Sequence, residues 1–120
     1  MLEAYDAYWQ ASVAAQRGDP DPQLFSGSTG DALVELELKV ARSSQEGGVV
    51  REGAPTITAV DVEITGEEAL VFSCVDHSTW LMPGAGGTPP GVVPTTLRME
   101  QVDGAWLVME NVESNPSRTC

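Results

Sequence analysis

No stretch of this 120-residue chain is apolar over the ~20 consecutive residues that a membrane-spanning helix needs. No basic, apolar and small-residue signal opens it either. Basic residues are scarce: six Lys and Arg stand against eighteen Asp and Glu, for a formal charge of −12. Nucleic acid and anionic membrane both call for a positive footprint, so neither suits this chain as a partner. The charge favours solubility, a cationic partner or a calcium-rich exterior; in its plainest reading it is a solvated acidic surface. Histidine occurs once and cysteine twice. That makes an incomplete zinc set. Asp19, Asp21 and Asp31 lack the loop spacing of a calcium hand. No metal or other cofactor is expected.

What is present suits one globular domain over residues 1–120. The composition is 42% hydrophobic and 20% charged, which fits a packed core. The chain is best read around residues 69–80, ALVFSCVDHSTW. This stretch opens apolar on both faces and ends in polar and aromatic side chains, as a central strand running to the mouth of a cavity does. It carries Cys74, whose one possible intramolecular partner is Cys120. A Cys74–Cys120 bridge implies an oxidising compartment. The alternative is two unrelated thiols, one in a strand and one on a tail.

Residues 1–16 read as an amphipathic helix, with Leu2, Tyr5, Trp9 and Val13 at three- and four-residue steps and Tyr8 and Ser12 alongside. Gly18 and the prolines of DPDP stop it. Pro22 can open a short helix through Phe25. A further helix is predicted from Thr29 or Gly30, capped by Ser28 or Thr29, with Ala32, Leu33, Leu36, Leu38 and Val40 as its apolar face. Gly47 and Gly48 end it. The period then changes. Residues 49–57 suggest a short edge strand with a bulge at Gly-Ala-Pro. Residues 58–64 alternate, with Val60, Val62 and Ile64 on one face. Residues 65–68 are a hairpin turn. Residues 82–94 hold four glycines and four prolines and read as a loop. Residues 95–102 place Leu97 and Met99 inward and Arg98 and Glu100 outward. Asp103-Gly104 is a two-residue turn, and 105–112 is the last strand. Residues 114–120 form a tail. Helices over about 1–46 followed by a sheet over about 49–113 give an α+β class: helices packed on one face of a curved, mostly antiparallel sheet of four to five strands.

Three segments carry a family resemblance: LEAYDAYWQA in the first helix, SCVDHSTW in the middle, and GAWLVMENVE running to a terminal TC. With the element order, the chain resembles the nuclear transport factor 2-like, cone-shaped superfamily. More narrowly it is similar to small secreted proteins or lipoproteins of actinobacteria. The resemblance implies a strongly bent sheet with a pocket at its wide end, export with a leader or lipid anchor removed, and homodimers formed through the outer sheet face. Superfamily enzymes such as ketosteroid isomerase, limonene epoxide hydrolase and SnoaL-like cyclases use acids and bases inside the cone. This sequence matches none of their catalytic sets residue by residue.

The candidate site residues follow. Asp76 and His77 can do acid–base work, although neighbours on a strand point to opposite faces. Only Ser73 and Ser78 offer a nearby nucleophile. Asp76 has a structural alternative, capping the turn amides before Thr79. Tyr5, Tyr8, Trp9 and Trp80 can line a pocket for a flat apolar ligand, or simply fill the core. Glu110 either enters the cavity or is turned to solvent by a bulge. The leading expectation is an exported, non-catalytic domain that binds a small apolar ligand or a protein partner. The alternative is an isomerase, dehydratase or hydrolase using Asp76, His77 or Glu110.

Overall fold

A computed structural model describes residues 1–83, 91–112 and 118–120. The elements run α1 (Leu2–Gln16), a 3-10 turn (Pro22–Phe25), α2 (Asp31–Glu46), β1 (Glu52–Gly53), β2 (Thr56–Thr65), β3 (Glu68–Asp76), β4 (Trp80–Leu81), β5 (Val92–Val102) and β6 (Ala105–Val112). The class is α+β. Four strands form an antiparallel sheet in the order β2-β3-β5-β6, and β1 pairs with β4 in a small second sheet. The strand β4 and its pairing were not expected from sequence, because two residues are too few to show a period. The glycine- and proline-rich loop lies mostly at 84–90, and the tail mostly at 113–117; both fall outside the described residues.

Strand β3 is central. Its residues 71–75 are all buried, which accounts for an apolar run without alternation. Ala69 and Val71 pack on the helix side with Leu97 and Met99 of β5. Phe72 and Cys74 face the other way, under residues 118–120. There Cys74 and Cys120 form a disulfide with Cα atoms 5.8 Å apart. Arg118 lies over the Phe72 ring, its guanidinium carbon 5.1 Å from the centroid, and pairs with Asp61 at 2.6 Å. The sheet is therefore covered on one face by helices and on part of the other by the chain's own end.

The helices settle differently from the predicted stripes. In α1 the buried residues are Tyr5, Tyr8, Ala11, Ser12 and Ala15, while Leu2 is exposed and Trp9 and Val13 are half-buried. Two neighbours compete for this helix. Tyr5 reaches the sheet, donating to Ser73 Oγ at 2.7 Å. Tyr8 and Ser12 face α2, donating to the two oxygens of Glu37 at 2.5 and 2.9 Å. Burial, and then the Glu37 charge, pushes the Tyr8 hydroxyl pKa up. In α2 the buried face is Leu33, Leu38 and Ala41; Leu36 and Val40, expected inside, are exposed. Ser28 and Thr29 do not cap α2, whose N-cap is Gly30. Their hydroxyls bond each other at 3.0 Å, and Ser28 Oγ also donates to Phe25 O. Backbone bonds from Gly30 N to Val108 O and from Val108 N to Ser28 O tie the start of α2 to β6.

The sheet's irregularities also differ in place. The bulge in β2 lies at Ala59 and Val60, where the register jumps between Thr58 and Asp61 and Ala59 takes φ 55°. Because β2 is an edge strand, Val60 and Ile64 are exposed rather than part of a buried face. Strand β5 begins at Val92, three residues before the predicted start, continuing the pairing with β3 through Asp76. The Asp103-Gly104 turn is as read, with φ 50° and 82°.

Candidate functional site

A groove of about 330 Å³ opens where α1 passes the link between β1 and β2. Trp9, Gln10, Val13, Ala14 and Arg17 form the helical wall, and Ala54, Pro55 and Ile57 the opposite one. The period places this wall: positions 9, 13 and 17 recur at one-turn steps on α1. They fall beside the face that packs on α2, so Trp9 and Val13 line a cleft rather than the core. Pro55 cannot donate to a strand ladder, and Gly53 at φ 77° turns the chain out of β1. A side chain at Gly53 would collide with Thr79 O. Thr79 Oγ1 donates to Ala54 O at 2.7 Å and Arg17 Nη2 to Gly53 O at 2.9 Å, so the far wall is held where it leaves β1.

Trp9 joins the groove to a second cluster. Its ring meets Trp80 edge-on, with centroids 6.4 Å apart. Trp80 is 3% exposed and stacks with His77 at 5.8 Å. The Arg51 guanidinium carbon lies 3.6 Å from the Trp80 ring centroid, a cation–π contact. Arg51 also donates to Gln16 Oε1 at 3.2 Å and to Trp80 O at 3.3 Å. Burial lowers the Arg51 pKa. Burial first, and Arg51's charge second, lower that of His77 against the opposing pull of Asp76. Trp9 Nε1, Trp80 Nε1, Arg51 Nε and His77 Nδ1 are all buried with no hydrogen-bond partner among the described residues. Every residue in that set belongs to this one cluster.

The sequence candidates therefore divide. Trp9, His77 and Trp80 come together. Tyr8 touches Trp9 edge-on at 5.5 Å but turns its hydroxyl to Glu37. Tyr5 is 1% exposed, a core residue bonded to Ser73. Asp76 Oδ1 accepts from Ser78 N at 2.9 Å, the turn-capping role; these bonds hold its carboxyl below the usual range. Glu110 lies on the sheet face opposite the helices and pairs with Arg98 at 2.6 Å. The shift of register between Arg98 and Met99 puts it there, as the bulge reading had it. Arg51 and Arg17 escaped sequence reading. Arg51, alone in a polar link, carries no periodic signal; Arg17 falls in step with Trp9 and Val13 at the end of α1, and that spacing was the signal that could have found it. Among the described residues, no group of three or more His, Cys, Asp or Glu side chains is placed to hold a metal ion. No described helix is long and apolar enough to cross a membrane.

No family model and no curated protein matches this chain. Among solved structures, the crystal structure of the intermembrane space region of the chloroplast protein ARC6 is similar. It has a TM-score of 0.59 and 16% identity, over 92% of this chain and 90% of that one. A solution NMR structure of a de novo beta-sheet design protein aligns with a TM-score of 0.43 and 18% identity, over 93% of this chain and 88% of that one. At such identities the first likeness speaks for the fold alone: this chain shares its order of helices and antiparallel strands with a natural domain of nearly equal extent.

Proposed function

We propose that this is a non-catalytic binding domain of an oxidising, extracytoplasmic setting, and that the groove beside Trp9 receives a small apolar ligand. The observation that carries the reading is the groove itself, an open cleft walled by Trp9, Val13, Ala14, Pro55 and Ile57. Concave, mostly apolar sites with a few polar groups at the edge are how proteins hold small molecules. The Cys74–Cys120 disulfide fits an oxidising compartment, and export, by leader or lipid anchor, belongs to this proposal. So does the nuclear transport factor 2-like reading, which two helices on one face of an antiparallel sheet support. Pairing of two copies through the outer face would have to form around residues 118–120.

The acid–base alternative needs two polar groups within reach of each other in a cavity. Asp76, Glu110 and Tyr5 each hold a partner elsewhere, in Ser78, Arg98 and Ser73; His77 has an unpartnered Nδ1 but stacks on Trp80, and none of the four lines the groove. The binding reading is tested with a neutral apolar fluorophore, N-phenyl-1-naphthylamine. We expect saturable one-site binding that Val13→Glu weakens at least tenfold, because a carboxylate would then sit in the apolar wall. Absence of saturable binding to the unsubstituted protein would overturn the reading.

A further inference from the structure

The groove's electrostatics say more about its occupant. Acidic residues outnumber basic ones eighteen to six along the chain, yet no carboxylate lines the groove and Arg17 does. The six cations fall into three groups. Arg98 pairs with Glu100 and Glu110, and Arg118 with Asp61 and Glu63. Lys39 and Arg42 are exposed on α2. Arg17 and Arg51 make no ion pair among the described residues, and both stand at the C-terminal end of α1, where Arg51 grips the Gln16 side chain next to Arg17. Arg51 is the half-buried one, and its contacts are neutral oxygens and the face of Trp80.

A guanidinium withdrawn from water without an opposite charge is costly. A chain this acidic has carboxylates to spare, and among the described residues none forms an ion pair with either of these two. Of the four unpartnered groups around them, His77 Nδ1 is one and the other three are of one kind. The indole N–H bonds of Trp9 and Trp80 and the Nε–H of Arg51 are donors, and none has an acceptor among the described residues. Apolar walls, an arginine at the end and a positive field behind the aromatic side suit one sort of molecule.

Resting on the binding reading above, we propose that the groove takes an apolar ligand with one anionic head, a small aliphatic or aromatic carboxylate, its body against Trp9, Val13 and Ile57 and its head on Arg17. Arg17 already spends one Nη on Gly53 O, which fixes the guanidinium across the groove and leaves its other N–H groups as donors. A planar fork held in that way matches the two oxygens of a carboxylate. Arg51 acts through the field it adds behind Trp80.

The test compares octanoate with octanamide, which share a body and differ in the charged head, by calorimetry on the intact protein. We expect the acid to bind about tenfold more tightly than the amide. Arg17→Gln should abolish that difference, so that octanoate and octanamide bind the variant with equal affinity. Equal binding of acid and amide to the unsubstituted protein would overturn the anionic head and leave the groove reading standing. So would binding of N-phenyl-1-naphthylamine with no binding of octanoate. If N-phenyl-1-naphthylamine fails to bind, the groove reading falls and this inference with it.

Discussion

Trp80 is touched by each of the other members of its cluster: Trp9 at its edge, His77 in a stack, the Arg51 guanidinium against its ring. A ring face can hold one cation comfortably. A second, on His77, would add repulsion to the loss of hydration, and this is why burial and Arg51 together lower the His77 pKa while Asp76 only offsets them. The consequence for stability has a definite sign. In the unfolded chain His77 takes up a proton near its ordinary pKa of about 6.5; in the fold it does so at lower pH. Between those two values the unfolded state binds more protons, so stability falls as pH drops below about 6.5. Asp61 and Asp76, whose pKa values are lowered, add losses only in the carboxylate range further down. The expected result is a Tm that declines from pH 7.5 to 5.5 in the parent and is flat over that window in His77→Gln. A parent whose Tm holds level from 7.5 to 5.5 would refute the assignment.

At the level of elements, the C-terminal strap and β3 act as one unit. The disulfide joins residues separated by 46 positions and seats Arg118 between Asp61, Glu63 and the Phe72 ring. Closing a loop of that length removes about 4 kcal/mol of unfolded-state freedom in the chain-entropy account. For a chain of this size that corresponds to roughly 15 °C in Tm. Cys74→Ser should lower Tm by that order under non-reducing conditions, and reductant should do the same to the parent. An unchanged Tm would show that the strap does not stabilise the sheet. This pairing was legible in the sequence because two cysteines allow one bridge, and β3 was legible because a strand buried on both faces reads as an unbroken apolar run. The strands after it were legible through Leu97 and Met99 alternating with Arg98 and Glu100. Other features were not. The stripe of Leu2, Tyr5, Trp9 and Val13 marks an apolar face but not its partner. That face is divided between the sheet, α2 and a cleft, a division made by tertiary packing. Leu36 and Val40 of α2 fit the helical period as well as Leu33 and Leu38 do, and only the position of the sheet tells them apart. Strands β1 and β4 are two residues each, too short to show a period, and the far wall of the groove at Ala54 and Pro55 directly follows β1.

In the whole molecule the groove depends on elements distant in sequence. Trp9 comes from α1 and Arg17 from its C-cap, Arg51 and Pro55 from the links before and after β1, and His77 and Trp80 from beyond β3. The similarity to the ARC6 intermembrane space region concerns how these layers are ordered; what fills this particular cleft is set by side chains. The chain carries its own control for that idea. Of its three tryptophans, Trp9 lines the groove and Trp80 backs it, while Trp106 lines a separate cavity beside Met1 and Ala4. The decisive measurement is a ¹H–¹⁵N spectrum of the three indole N–H groups during titration with octanoate. We predict that the Trp9 resonance moves saturably, that Trp80 follows, and that Trp106 stays where it is. Calorimetric saturation with Trp9 unmoved, or with Trp106 shifting in its place, would contradict the account.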